Sequence, residues 1–176
     1  MSWFRKIVPI VALFWFAGCS SETAPDAKIT YFDIRGFFTS ESTRLGKKNL
    51  IIHKTVTDNG TSEVREVNIS NWENELALFI ESDINKPSWK NSYKVENKGT
   101  AVIYTALYPD VRTKQLTITM SAAGKVKHIQ ISNKTTNVLY TSEEHLNYYP
   151  DSLYRIDKFQ DVKILGSHRY TIEGKW

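Results

Sequence analysis

The hydrophobic period of the chain changes to two at Tyr93 and stays there as far as segment 138–141. Within 115–121, Leu116, Ile118 and Met120 alternate with polar residues. Successive side chains of a β-strand point to opposite faces, so this pattern is typical of antiparallel strands with one buried and one wet face. Residues that favour turns separate the alternating segments. The pattern predicts strands at 93–97, 101–108, 115–121, 126–132 and 138–141.

The remainder of this half is less regular. Segment 142–149 predicts a short helix or a wide loop that ends at Pro150. In the tail, 154–157 and 170–173 share a Tyr-x-Ile-acid pattern and flank the β-prone segment 162–166. We predict a strand at each of these three places, and we interpret the repeat as common strand composition, not as a duplicated domain.

Two helices are predicted in the first half of the chain. Thr30 and Asp33 have the spacing of a capping box, and apolar residues at helical intervals follow, which predicts a helix over 30–45. A second capping box opens a helix over 72–85. Pro87 ends that helix, because proline restricts the residue before it to extended conformations.

A hairpin lies between the two helices. The segments 50–57 and 63–69 are β-prone and surround Asn59-Gly60, the dipeptide best suited to the positive φ values of a tight turn. The order helix, hairpin, helix, meander predicts an α+β fold: a curved antiparallel sheet, a half-barrel-like meander, packed on two helices. This element order resembles that of carriers and receptors that handle lipoproteins in bacterial envelopes. A cone-shaped sheet with helices in its mouth is the alternative.

The N-terminal segment has the three parts of a secretory leader. Arg5 and Lys6 precede about ten apolar residues, and Ala17-Gly18 precede Cys19, the only cysteine. The apolar stretch is too short to span a bilayer, which takes about 20 residues. The box resembles that of bacterial lipoproteins, with Phe16 where the family usually has leucine. The resemblance implies cleavage before Cys19 and lipidation of its thiol.

This resemblance defines the expected domains and location. We expect a signal peptide at 1–18, a flexible tether with lipidated Cys19 at 19–27, and a single α+β domain at 28–176. A plain secretory leader with a chance cysteine, or an uncleaved anchor, is the alternative. Ser20 stands where an Asp would signal inner-membrane retention in enterobacteria, so we expect a lipid-anchored protein of the bacterial envelope, at the outer membrane.

A broader resemblance points the same way. The leader, its single cysteine, the Tyr31-Phe32-Asp33 helix opening and the 72–85 helix are similar to those of small lipoproteins of the Bacteroidota. This resemblance implies an envelope lipoprotein and no catalytic residues. The chain has 23 Lys plus Arg against 19 Asp plus Glu, and removal of the leader leaves 21 against 19. Neither this near balance nor the expected compartment favours nucleic-acid binding.

Residues with catalytic or metal-binding chemistry form no recognisable pattern. The four histidines lack metal-ligand spacing, and His53 and His128 lie in predicted strands as solvent-face or cross-strand residues. Glu143, Glu144 and His145 could bind a cation or act as acid and base, or could simply be solvated. Serine-hydrolase and nucleotide-binding motifs do not occur in the sequence. We therefore predict no catalytic residue, cofactor or metal.

Aromatic residues provide the candidate contact sites. Trp89, Tyr148 and Tyr149 are the candidates for contact with a ligand or partner, and Trp89 is expected to be partly exposed in a polar connection. A concave face lined with aromatics would suit a lipid tail, a peptide or a glycan. The simpler interpretation is that antiparallel sheets favour aromatic residues.

The expected function is that of a membrane-anchored envelope lipoprotein acting as a non-catalytic binding or accessory module for a hydrophobic ligand or a protein partner. The alternatives are a structural or assembly lipoprotein and, third, an envelope hydrolase. An apolar cavity of several hundred Å³ between helices and sheet would favour ligand binding. A solid core would favour assembly, and a hydrolase requires a cleft with a histidine in hydrogen-bond reach of a carboxylate.

Overall fold

The computed structural model describes residues 29–176, so the predicted leader and the whole predicted tether, with Cys19, lie outside the described residues. This part contains three α-helices, a short 3₁₀ helix at Pro87–Trp89 and nine strands. The helices are α1 (Ile34–Lys48), α2 (Trp72–Glu75) and α3 (Ala77–Ile80). The strands are β1 (Ile51–Asp58), β2 (Thr61–Asn68), β3 (Tyr93–Lys98), β4 (Ala101–Ala106), β5 (Thr113–Met120), β6 (Val126–Thr136), β7 (Tyr140–Tyr149), β8 (Leu153–Val162) and β9 (Gly166–Lys175).

All nine strands form one antiparallel sheet in the order β2-β1-β9-β8-β7-β6-β5-β4-β3. The sheet is open, with β2 and β3 at its edges. The predicted α+β class with an antiparallel meander is confirmed. Because neighbouring strands run in opposite directions, their turns alternate between two ends of the sheet. We call the end that carries the β1–β2, β4–β5, β6–β7 and β8–β9 turns the tip end, and the other the base end.

The predicted hairpin is confirmed as β1 and β2. Asn59 and Gly60 form the two-residue turn between them, with φ values of 44° and 92°. Both values lie in the left-handed region, which asparagine and glycine adopt more readily than other residues. The pair β1–β2 continues the meander at its far side, because β1 also pairs with β9.

The first helix begins four residues later than predicted. Asp33, and not Thr30, is the N-cap, because its Oδ1 accepts a hydrogen bond from the Gly36 N–H at 2.8 Å. The backbone N–H groups of Thr30 and Tyr31 donate instead to Asn85 Oδ1. These long-range bonds hold the backbone of Thr30 and Tyr31 outside the helix.

The second predicted helix is shorter than expected and is divided into α2 and α3. Leu76 interrupts it, and α3 ends at Ile80 instead of reaching residue 85. Beyond α3 the side chains compete for the backbone: Asp83 Oδ1 accepts from the Asn85 N–H, and Asn85 Nδ2 donates to Phe32 O. The bond between Asp83 and Asn85 is local, and such bonds compete with those of a helix. Within residues 29–176, no helix has the length and apolar character needed to cross a bilayer.

The prediction of a helix or loop at 142–149 is wrong, because this segment belongs to strand β7. Ser142, Glu144, Leu146 and Tyr148 are buried at every second position. The strand pairs along its length with β6 and β8. Two buried polar residues in this alternation obscured the strand pattern in the sequence.

The tail forms one long hairpin instead of three strands. Its two Tyr-x-Ile-acid segments lie on β8 and β9, where Ile156 faces Ile172. The predicted strand at 162–166 is wrong: residues 163–165 form the turn between β8 and β9, and Gly166 follows with φ of 84°. The β-propensity of Ile164 and Leu165 misled the prediction, and both side chains are exposed.

Aromatic rings fill the space between α1 and the sheet. Phe38 of α1 is fully buried, with its ring centroid 4.9 Å from that of Phe79 and 5.0 Å from that of Tyr148. Trp72 and Trp176 meet edge to face at 5.6 Å. The chain's own side chains thus fill the space between helices and sheet where an apolar cavity would have favoured ligand binding.

Two buried tyrosines predict a loss of stability at alkaline pH. Tyr148 donates to Glu41 and Tyr154 to Glu75, and burial followed by these hydrogen bonds raises the pKa of both phenols. An unfolded tyrosine ionises near pH 10. A phenol whose pKa is raised in the folded state contributes its full stabilisation of the fold below about pH 10. This contribution is lost as the pH rises further. We expect the free energy of unfolding to fall above pH 10 by about 1.4 kcal/mol per pH unit for each phenol.

Urea unfolding at several pH values, with tyrosinate absorbance as a second readout, measures this dependence. Tyr148→Phe should remove its share of the alkaline slope. Tyr149→Phe, which changes the exposed neighbour, should leave the slope intact. Equal slopes for the wild type and Tyr148→Phe would contradict the assignment.

Candidate functional site

The face of the sheet that contacts α1, here called the inner face, changes from apolar to polar halfway along its central strands. Leu146 faces Ile156, and both are buried beneath the helices. Two residues nearer the tip end, Glu144 faces Lys158. The next inner-face pair, Ser142 and Gln160, is also polar. The strands extend past the helical cover, so polar side chains line the uncovered part of this face.

Glu144 is the centre of this polar region. The residue is only 6% exposed, yet two cations reach its side chain: Arg112 Nη2 lies 2.7 Å from Oε2, and Lys158 Nζ lies 3.3 Å from Oε1. Asn133 Nδ2 also donates to Oε2, at 3.2 Å. A buried carboxylate requires such partners, because desolvation disfavours its charged form. The two cations and one carboxylate carry a formal charge of +1.

The connection between β4 and β5 places Arg112 at this site. Its Nη1 donates to the carbonyl oxygen of Glu81, just after α3, at 3.2 Å. Ser82 adds a second tie, because its Oγ accepts from Asn133 Nδ2 at 2.9 Å and its carbonyl accepts from Thr113 Oγ1. The end of α3 is therefore bonded to β5 and β6, which orients the guanidinium toward Glu144.

Two buried polar atoms beside Glu144 have no hydrogen-bond partner among the described residues. Ser142 Oγ belongs to a residue that is 8% exposed, and Asn133 Oδ1 to one that is 2% exposed. Leaving a buried polar atom unpaired costs about 1–3 kcal/mol. Ser142 is also one of the residues that line an open groove.

This groove, here called the inner groove, has a volume of about 460 Å³. It is lined by Leu78, Glu81, Lys86, Arg112, Thr135, Tyr140, Ser142, Glu144, Lys158 and Gln160. Its three cations outnumber its two carboxylates, and its hydroxyl and amide groups can both donate and accept hydrogen bonds. These groups suit a polar molecule that carries a negative charge.

The sequence indicated Glu143, Glu144 and His145 as candidate site residues but did not assign them separate roles. Strand alternation turns Glu144 into the groove and the other two to the opposite face. There, Glu143 pairs with Lys134 at 2.7 Å, and this hydrogen bond lowers the pKa of Glu143. Sequence reasoning missed Arg112, Lys158 and Ser142. The available signal was a two-residue period over 140–149, which would have predicted a strand there with Ser142 and Glu144 on the same face.

Trp89 is partly exposed, as predicted, and lies in the 3₁₀ helix before β3. Lys86 Nζ stands 4.3 Å from its ring centroid, and Lys86 also lines the inner groove. The tryptophan thus holds one of the groove's cations through a cation–π contact. Its role as a ligand contact stays a prediction.

The two neighbouring tyrosines occupy opposite faces of β7. Tyr148 is fully buried in the aromatic core, so its side chain has no surface to offer in this conformation. Tyr149 is 38% exposed and stacks on His128 with a centroid distance of 4.1 Å. Contact of either residue with a ligand stays a prediction, and only Tyr149 is placed for it.

The histidines have the surface positions of ordinary strand residues. His53 pairs with its cross-strand neighbour Glu66 at 3.4 Å, and His168 pairs with Asp58 at 3.0 Å. All four of these side chains are largely exposed, at the β1–β2 hairpin and at β9. No group of three His, Cys, Asp or Glu residues in the described domain could hold a metal ion.

Comparison with known proteins found no relative of this chain. No family model, curated protein or solved structure matches the chain. The inner groove is therefore interpreted from its own geometry and chemistry.

Proposed function

We propose that the protein is a membrane-anchored lipoprotein of the bacterial envelope that acts as a non-catalytic binding module. The Cys19 box supports the anchor, through its resemblance to lipoprotein leaders. The inner groove supports the binding role. The observation that carries this role is the Ser142 hydroxyl, which is buried, unpaired and at the groove wall beside two cations.

The chemistry of the groove defines the class of ligand. Arg112 and Lys158 share one carboxylate, so an additional anionic oxygen would complete the charge balance around Glu144. Charge-assisted hydrogen bonds to such oxygens are among the strongest in proteins. The proposed ligand is a polar molecule with a carboxylate or phosphate group. A hydrophobic ligand is less suitable, because aromatic side chains fill the apolar interior.

An assembly role is the second candidate, and the filled core favours it. An assembly protein would act through its outer surfaces. This role does not account for an unpaired hydroxyl in a groove. A hydrolase has less support, because the histidine–carboxylate pairs are exposed at the hairpin ends. The binding role is preferred because it accounts for Ser142.

Titration calorimetry of the purified protein tests the proposed ligand class. Glucuronate and glucose 6-phosphate present a carboxylate and a phosphate on similar sugars, and glucose is the neutral control. We expect at least one anionic sugar to bind more tightly than glucose. Lys158→Gln should weaken that binding about tenfold or more, because a hydrogen bond to a charged group contributes about 1.5–3 kcal/mol.

Lys125→Gln is the matched control. It also removes one positive charge, but from the exposed β5–β6 turn at the base end. Its affinity should equal that of the wild type. If glucose bound as tightly as the anionic sugars, or if no sugar bound, the proposed ligand class would be wrong. Equal losses for both variants would point to a general charge effect and contradict the groove assignment.

A further inference from the structure

The strand β2 forms one edge of the sheet, and no described segment of the chain pairs with its outer side. Every residue of this strand except Val67 is exposed. An uncovered edge presents a row of backbone donors and acceptors to which a strand of another chain can bind. The β2 edge is therefore a surface at which a second chain can extend the sheet.

The hydrogen bonds around β1 show which backbone groups of β2 point outward. Asn59 continues the register of β1 with β9, because its N–H donates to Arg169 O at 2.9 Å. Backbone groups alternate in direction along a strand, so the even-numbered residues of β1 bond to β2. Their partners in the register are the odd-numbered residues of β2. The backbone groups that point away from the sheet are those of Ser62, Val64, Glu66 and Asn68.

These outward groups allow β2 to pair with a second copy of itself. Two identical antiparallel strands pair symmetrically with full hydrogen bonding when an outward residue faces its own counterpart. With Val64 at this centre, Ser62 of each copy faces Glu66 of the other, and the overlap covers nearly the whole strand. A centre at Glu66 would oppose two carboxylates, and a centre at Ser62 would shorten the overlap.

The charged side chains of β2 fit the register centred on Val64. Glu63 and Arg65 flank Val64 and form an ion pair within the strand. In the symmetric pair, Glu63 of each copy would stand opposite Arg65 of the other, and opposite charges across a strand pair are favourable. The two side chains are 64% and 70% exposed, so no described helix covers them. A second sheet edge therefore has free access to this part of β2.

The other edge of the sheet, β3, is less suited to pairing. It has six residues, whereas β2 has eight. Its first residue, Tyr93, is buried, and the Tyr31 ring packs against it with a centroid distance of 5.5 Å. The segment that precedes α1 thus lies at the start of this edge. β2 provides the longer and more open edge for a second chain.

We propose that two copies of the protein form a symmetric dimer in which their β2 strands pair antiparallel about Val64. The two sheets would then form one continuous sheet. This inference goes beyond the proposed binding role, because β1 and β9 separate β2 from the strands that line the inner groove. One pair of strands is a small interface, so we expect a dimer that dissociates on dilution.

Sedimentation equilibrium of the purified full chain, in a detergent matched to the density of the solvent, tests the dimer. The wild type should change from monomer to dimer as its concentration rises. Glu63→Arg and Arg65→Glu should each weaken dimerisation about tenfold or more, because each variant places like charges opposite one another twice. The double variant with both substitutions restores opposite charges and should dimerise as the wild type does.

Lys94→Glu is the matched control at the other edge. Lys94 and Glu96 flank Val95 of β3 and also form an ion pair within their strand. This variant should dimerise as the wild type does. A wild type that stays monomeric, or a double variant as weak as the single ones, would overturn the proposal. Weakening by Lys94→Glu and not by Glu63→Arg would assign the interface to β3 and contradict the β2 pairing.

Discussion

Phe38→Ala should lower the free energy of unfolding by about 3–5 kcal/mol, the range typical of a large aromatic removed from a core. Phe38 is fully buried and joins α1 to both α3 and β7 through Phe79 and Tyr148. Its removal would leave a cavity that these rigid rings cannot close. Urea unfolding followed by tryptophan fluorescence measures the loss, since Trp72 and Trp176 lie in the same cluster.

Thr39→Ala is the control on the same helix. Thr39 is exposed, so its substitution should change stability by no more than about 0.5 kcal/mol. The dependence of unfolding free energy on urea should be unchanged in both variants, which identifies a change of stability rather than of mechanism. A loss below about 1 kcal/mol for Phe38→Ala would mean that α1 does not pack on the sheet as described.

Local patterns in the sequence were sufficient for the fold class and for the elements whose stability is local. Asn59-Gly60 predicted its hairpin, and the alternation of 115–121 predicted its buried face. These succeed because the turn residues and the period act within a few neighbouring positions. The predicted first helix differed only at its boundaries, where Asn85, more than fifty residues away, holds the preceding backbone.

The predictions fail where residues distant in the sequence determine the local structure. Segment 142–149 reads as irregular because Ser142 and Glu144 occupy inward positions that usually carry apolar residues. Glu144 is tolerated there because Arg112 and Lys158 reach it from other parts of the chain. A single sequence does not reveal which cation will meet which carboxylate. The candidate site was therefore the least predictable part of the molecule.

Cys19→Ser should remove the protein from the membrane. In the proposed anchor, a thioether-linked diacylglycerol would supply two acyl chains, and each buried methylene would contribute about 0.8 kcal/mol to a stable attachment. We expect loss of incorporation of an alkyne-tagged fatty acid and transfer of the protein to the soluble fraction after washing. Ser21→Ala, two residues away, should keep both the label and the membrane location.

Mass spectrometry of the mature N-terminal peptide tests the anchor most directly. The account predicts a chain that begins at Cys19 and carries diacylglycerol on its sulfur. A free thiol at position 19, or a mature chain that begins elsewhere, would contradict it.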